Sequence, residues 1–360
     1  MGVKCQLLLD NQGCCLYRTG GLVTGTVNYC FDKPTEFWSA TVSLVGTGYC
    51  RWEEGSSKNR RTYIGREQYV EQHLNILQLK KHELVKLEPG SYQFPFEFLL
   101  PENIPTSHTD PIGNITYSIK VVFKKAGFIK TSEKFSTTIQ VYNEPKPCLP
   151  EPLIAGTKKE FTFSSKNKFV NIKGEISRTF ITAGEDILLT VTVQKETDIP
   201  ITGIQTELVN LMTYTCNNYS KKQRLNHTSV NGTVREYPGM TEKNETTFRY
   251  IIPSFPHLFS IQDSNIIAKE YKARVTVKFP FPYINAFLDL PVVINMVNIV
   301  KEIEIKEGEP SSSAQTSTVD QPPSYWQVMN EDNNRSDEEG EEVYVGDKKH
   351  NYYEAHSSKS

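Results

Sequence analysis

The sequence predicts an all-β protein: two tandem immunoglobulin-type β-sandwiches followed by a disordered C-terminal tail. Three observations carry that prediction. Segment after segment alternates apolar and polar residues with a period of two, the pattern of antiparallel sheets with one dry and one wet face. No amphipathic helical stripe exceeds about three turns. A proline-rich break then divides the body into two halves that share local text. The expected organisation is a first sandwich over 1–143, a linker over 144–158, a second sandwich over 159–306 and a tail over 307–360, each sandwich having seven or eight strands.

Individual elements follow from the same pattern. Ile115-Thr-Tyr-Ser-Ile-Lys-Val-Val-Phe123 places Ile115, Tyr117, Ile119, Val121 and Phe123 on one face and Thr116, Ser118 and Lys120 on the other. Tyr271-Lys-Ala-Arg-Val-Thr-Val-Lys-Phe279 alternates in the same way, with Lys272, Arg274 and Lys278 toward water. Ile187-Leu-Leu-Thr-Val-Thr-Val193 is a third strand. Turn signals at Gly20-Gly21, Glu88-Pro-Gly90 and Ala183-Gly184 punctuate the strands. Residues 66–82 are the one candidate helix. Four prolines in Glu144-Pro-Lys-Pro-Cys-Leu-Pro-Glu-Pro152 remove amide donors and favour an extended course. On either side, a glycine shortly precedes a strand, in Gly21-Leu-Val-Thr-Gly-Thr-Val-Asn-Tyr29 and in Gly184-Glu-Asp-Ile-Leu-Leu-Thr-Val-Thr-Val193.

The 360 residues have a formal net charge of -2, which conceals an asymmetry. Residues 307–360 hold 12 acidic and 4 basic side chains, a net of -8, so residues 1–306 carry +6. The acidic segment is poor in branched aliphatics and cannot offset the entropy of ordering. No apolar run approaches the roughly 18 residues of a membrane span. The start, Met1-Gly-Val-Lys-Cys-Gln6, lacks the features of a signal peptide and the hydroxyl residue of a myristoylation signal. Cys5, Cys14, Cys15, Cys30, Cys50, Cys148 and Cys216 contain no C-x-x-C pair. They read as buried or incidental thiols of a reducing compartment, with no metal site and no cofactor. Glycosylation sequons such as Asn226-His-Thr228 and Asn231-Gly-Thr233 are read as chance products of an Asn- and Thr-rich β protein.

On these residues the body resembles the arrestin-domain-containing, or α-arrestin, branch of the arrestins. The first half carries Gly20-Gly-Leu-Val-Thr-Gly-Thr-Val27, Val42-Ser-Leu-Val-Gly-Thr-Gly48 and Leu87-Glu-Pro-Gly-Ser-Tyr-Gln-Phe-Pro-Phe-Glu-Phe-Leu-Leu-Pro101. The second carries Phe180-Ile-Thr-Ala-Gly-Glu185, Ile252-Pro253 and Leu290-Pro-Val-Val-Ile294. The resemblance covers roughly residues 5–306 and implies two arrestin-like sandwiches in a non-catalytic adaptor.

The tail adds Gln321-Pro-Pro-Ser-Tyr-Trp-Gln-Val328, a P-P-x-Y ligand. Pro322 and Pro323 preset a polyproline II turn for an aromatic-lined groove. Tyr325 enters a second pocket, and Val328 packs back over it. The resemblance implies recruitment of a HECT ubiquitin ligase through its WW domains, to cytoplasmic regions of membrane receptors or transporters. That places the protein in the cytoplasm, peripherally recruited to plasma membrane and endosomes, with roles in endocytosis and endosomal sorting. Many relatives carry two such motifs; this chain has one full copy, which removes the gain from a second linked site.

Alternatives remain open. Tyr325-Trp-Gln-Val328 also reads as a Y-x-x-Φ signal for clathrin adaptors, and a retromer-like coat subunit acting without ubiquitin shares the fold expectation. Ser336 and Tyr344, in acidic surroundings, are candidate phosphorylation sites. Basic clusters including Lys58, Arg60, Arg61, Lys124 and Lys125 are candidate contacts for cargo or an anionic lipid surface. The absence of a cysteine after Cys216 weighs against the thioredoxin-binding activity of one family branch. His73, His82, His108, His227 and His257 have no metal-ligand spacing and are expected at the surface or in turns. No nucleophile motif, phosphate loop or nucleic-acid-binding pattern appears, so an enzyme is not expected.

Overall fold

Period-two alternation builds the architecture directly. The computed structural model describes residues 3–11, 16–77, 84–126, 131–161, 168–218, 221–242 and 244–296. The first sandwich begins with β1 (Lys4–Leu9), β2 (Leu16–Arg18), β3 (Leu22–Phe31), β4 (Thr35–Glu54) and β5 (Arg61–Asn75). It continues with β6 (Val85–Leu87), β7 (Gly90–Leu99), β8 (His108–Thr109), β9 (Gly113–Lys125) and β10 (Ser132–Tyr142). The second sandwich opens with β11 (Leu153–Glu160), β12 (Phe169–Ile176), β13 (Phe180–Thr182), β14 (Ile187–Lys195) and β15 (Ile201–Thr215). It closes with β16 (Gln223–Ser229), β17 (Arg235–Met240), β18 (Glu245–Ile252), β19 (Ile267–Lys278) and β20 (Ala286–Asn295).

One layer of the first sandwich is β1-β3-β7; the other is β2-β10-β9-β4-β5, with β6 on β4 and β8 on β9. The second pairs a β11-β12-β14-β18 sheet with β13-β20-β19-β15-β16, and β17 lies on β15. The repeat visible in the sequence is structural. β2 runs parallel to β10, and β13 runs parallel to β20. In each case a glycine then turns the chain into the next strand, Gly20 at φ 76° and Gly184 at φ 93°, conformations that favour glycine because it lacks a Cβ.

The predicted inner faces are inside. Ile115, Tyr117, Ile119, Val121 and Phe123 of β9 are all at most 1% exposed, as are Ile187, Leu189, Val191 and Val193 of β14. Each such side chain stabilises the fold by roughly 1.5–3 kcal/mol relative to exposure. The first core does not stop at its own sandwich. Met212, Tyr214, Cys216, Ile261, Ile266 and Ile267, all from the second, belong to the same apolar cluster.

The structure corrects the sequence reading in three places. Residues 66–75 of the candidate helix 66–82 belong to strand β5, Arg61–Asn75. The linker assigned to 144–158 gives way at Leu153 to β11, which pairs with β12 from Leu153↔Ile176 to Glu160↔Phe169. The prolines end at Pro152, and amide donors are then available for a ladder. Each sandwich also has ten strands among the described residues where seven or eight were expected, the excess being short pieces such as β2, β6, β8 and β13.

Candidate interaction site at the seam between the sandwiches

The two sandwiches meet where the long β4–β5 hairpin of the first reaches the β15–β16 turn of the second. Two asparagines of that turn act as a surrogate strand along the edge of β5. Asn217 Oδ1 accepts from the Arg66 amide at 3.2 Å while its Nδ2 donates to the Arg66 carbonyl at 2.7 Å. Asn218 Oδ1 accepts from the Ile64 amide at 2.8 Å, and its Nδ2 donates to Thr62 O at 3.2 Å. One strand position further, Glu67 accepts from the Asn265 amide at 2.9 Å and from the Ser264 hydroxyl at 3.2 Å. An edge that would otherwise expose unpaired amides is closed by side chains from the other sandwich.

Beneath this clasp lies a charged cluster. Asp110 Oδ1 accepts the amides of Ile112 and Gly113 at 2.8 and 2.9 Å. Its Oδ2 pairs with His108 Nε2 at 2.8 Å and accepts the Tyr214 hydroxyl at 2.5 Å. Burial opposes ionisation of Asp110, but the bonds from His108, Tyr214 and the two amides outweigh it and hold the carboxyl far below the usual carboxylate range. Lys269, whose ammonium sits 4.2 Å from the Phe259 ring centroid, is pushed down to about 8 by burial against the pull of Asp110. Cys50 and Cys216 are buried at the same junction, and burial pushes the Cys50 thiol up to about 11. Cys50 is therefore not a reactive thiol at neutral pH.

Toward solvent the seam is basic. Lys222 pairs with Glu54 and lies over the Tyr63 ring at 4.7 Å, and Arg60 pairs with Glu53. Lys58, Arg61 and Lys221 are exposed, and none of them makes an ion pair among the described residues. The seam therefore presents an excess of positive charge on two hairpins held in fixed relation.

The expected site residues do not form one patch. Lys58, Arg60 and Arg61 lie at the seam end of β4 and β5, whereas Lys124 pairs with Ser39 at the other end of β4, about 50 Å away at strand rise. Lys125 is unsuited to contact: it turns toward the inner side, where Glu133 pairs with it, and its side chain is 18% exposed. His108 is likewise inside the seam with its side chain 12% exposed, not at the surface. The reason is Asp110, a partner that no spacing rule singles out. Pro322, Pro323, Tyr325, Val328, Ser336 and Tyr344 lie outside the described residues, as do Cys14, Cys15 and His82. No group of three or more His, Cys, Asp or Glu side chains is placed to hold a metal among the described residues. Sequence reasoning missed Asp110, Tyr214, Lys269 and the Asn217–Asn218 clasp, because their partners are about 100 to 155 positions away.

Comparison with known proteins agrees with this geometry. The arrestin (or S-antigen) N-terminal domain model matches residues 5–144, and the arrestin (or S-antigen) C-terminal domain model matches residues 166–299. Arrestin domain-containing protein 1 of Rattus norvegicus is 21% identical over 80% of this chain and 63% of its own length. Arrestin domain-containing protein 5 of Bos taurus is 23% identical, covering 78% of this chain and 87% of its own. Arrestin domain-containing protein 4 of Mus musculus is 26% identical over 80% of this chain and 70% of its own length. The chain thus spans a little under two-thirds of the rat relative. With both domain models matched in order over two sandwiches joined at a hydrogen-bonded seam, the chain belongs to the arrestin family, as an arrestin-domain-containing protein of the α-arrestin branch.

Proposed function

We propose that this protein is a non-catalytic adaptor that brings a WW-domain HECT ubiquitin ligase to membrane-protein cargo. The observation that carries the reading is the P-P-x-Y sequence Pro322-Pro-Ser-Tyr325 in the acidic segment that follows a complete arrestin pair. Pro322 and Pro323 dock on the aromatic groove, Tyr325 fills the adjoining pocket and Val328 covers it. The basic seam, through Lys58, Arg61 and Lys221, receives an acidic cytoplasmic segment of a receptor or transporter. Catalysis is proximity, with the ligase supplying the chemistry. Ubiquitination then directs the cargo to endocytosis and endosomal sorting.

Tyr325→Ala tests the reading. It abolishes co-precipitation of WW-domain ligases while the melting temperature of the sandwiches stays unchanged. Undiminished ligase binding in that variant overturns the proposal. Trp326→Ala with Val328→Ala separates the clathrin-adaptor reading: loss of adaptor binding with WW binding retained supports the sorting signal instead. A vesicle-coat complex that survives deletion of 307–360 supports a coat subunit acting without ubiquitin.

A further inference from the structure

The outer face of the β10-β9-β4 layer carries a feature the sequence did not show. β4 is bulged: Phe37 pairs with Lys125 and Ser39 with Lys124, leaving Trp38 as the extra residue. Phe37 and Ala40 both point into the core, so the bulge turns Trp38 outward, where it is 45% exposed. β6 pairs with β4 from Thr35↔Leu87 to Phe37↔Val85, and Leu84 immediately precedes this paired stretch of β6 as Trp38 immediately follows that of β4. Leu84 is 46% exposed.

Three lysines share this face. Lys120 and Lys124 lie on the outward side of β9, and Lys134 on β10 pairs with Val122 between them. At strand spacing Lys134 stands about 8 Å from each of the others. All three are exposed, and none makes an ion pair among the described residues. The rows between them are hydroxyl-rich: Ser132, Ser136 and Thr41, with Ser43 bonded to His73 Nδ1 at 2.7 Å. Of the nearby acids, Glu133 pairs with Lys125 and Glu88 with Lys86, Glu71 meets His73, and Glu36, two residues before Trp38, is exposed and makes no ion pair among the described residues.

We infer that this face of the first sandwich docks on the surface of an anionic bilayer, with Trp38 and Leu84 at the headgroup–acyl boundary and Lys120, Lys124 and Lys134 on anionic headgroups. Charge complementarity selects the occupant: a triangle of uncompensated ammonium groups beside an exposed tryptophan matches a negatively charged interface, where tryptophan rings concentrate. A protein partner fits less well. Two half-exposed side chains offer far less apolar area than the roughly 1,200 Å² of a stable protein interface. The inference rests on the adaptor reading only for its purpose, since holding the body against the membrane brings cargo and ligase together.

The test uses the full chain and vesicles of phosphatidylcholine with 30% phosphatidylserine against pure phosphatidylcholine, read by co-sedimentation. Wild type partitions to the anionic vesicles and not to the neutral ones. Lys120→Gln/Lys124→Gln/Lys134→Gln lowers partitioning by about 100-fold, roughly fivefold per lysine. The charge-matched control Lys158→Gln/Lys173→Gln/Arg249→Gln, on the outer face of the second sandwich, leaves it unchanged. Brominated acyl chains quench wild-type fluorescence more than that of Trp38→Phe. No binding to anionic vesicles, equal loss in both triple variants, or equal quenching in wild type and Trp38→Phe overturns the inference. So does binding of a soluble phosphopeptide through the three lysines without vesicle binding. WW-domain binding measured on the same variants is unaffected, and its loss in Tyr325→Ala reports on the adaptor reading alone.

Discussion

The hydroxyl of Tyr214 in the second sandwich donates to Oδ2 of Asp110 in the first at 2.5 Å, across 104 positions of sequence. This bond joins the end of β15 to the turn that feeds β9, and the same carboxylate holds His108. Asp110 is therefore a structural hub of the seam, carrying its charge in a place where unpaired charge is costly.

Removing that charge weakens the fold. Asp110→Asn leaves His108 and Tyr214 without their ionic acceptor, a loss of about 3 kcal/mol. The folded carboxyl titrates well below its unfolded value of about 3.9. Its contribution is fully present above that value and is lost as pH falls below it toward the folded value. Thermal melts from pH 7 to pH 2.5 should show the wild-type melting temperature falling below about pH 4. Asp110→Asn starts lower and falls less steeply in that window.

Lys269 gives a dependence at the opposite end of the scale. Its folded value of about 8 lies below the ordinary lysine value of 10.5 because burial disfavours the ammonium. The unfolded chain holds that proton more tightly, so its cost to stability is complete below pH 8 and is relieved as pH rises toward 10. Lys269→Met should remove this upward slope between pH 8 and 10 and raise stability at pH 7 by on the order of 2 kcal/mol. A melting curve for the variant with the wild-type slope would show that the lysine is solvated.

The asparagine clasp is testable by hydrogen exchange. The Ile64 and Arg66 amides donate to Asn218 and Asn217 side chains. Asn217→Ala/Asn218→Ala leaves both without an acceptor. Their exchange should accelerate at least tenfold, while amides on the β4 side of the hairpin keep their protection, and global stability should drop by about 2 kcal/mol.

How much of this was legible in the sequence depends on register. β9 and β14 could be read because their alternation is unbroken from end to end. β5 could not, because Gly46 pairs with Val70 and Thr47 with Gln68, leaving Tyr69 as an extra residue. That bulge resets the alternation within β5 and imitates a helical spacing across 66–75. It also aims Tyr69 at Ser264 of the second sandwich, at 2.8 Å. The other bulge hid Trp38 in the same way. Basic clusters could be found by composition, but whether each lysine faces out is decided by strand parity: Lys124 does and Lys125 does not. The seam was invisible because its contacts are set by tertiary pairing and not by local pattern.

Gly65 measures how closely the sandwiches approach. A Cβ there would stand 2.4 Å from the carbonyl oxygen of Thr215 and 2.7 Å from Cys50 Sγ, and the first of these is backbone that cannot rotate away. Gly65→Ala must therefore push β5 off the β15 end, straining the Asn217–Asn218 bonds and opening the cluster that buries Ile266. A loss of about 3 kcal/mol is expected. Gly156→Ala, in strand β11, meets only Ile172 O at 3.4 Å and serves as the control, with a change within about 1 kcal/mol. Chemical denaturation of the two variants decides the matter: equal midpoints would mean that the seam has room for a methyl group and that the sandwiches are not held at this distance.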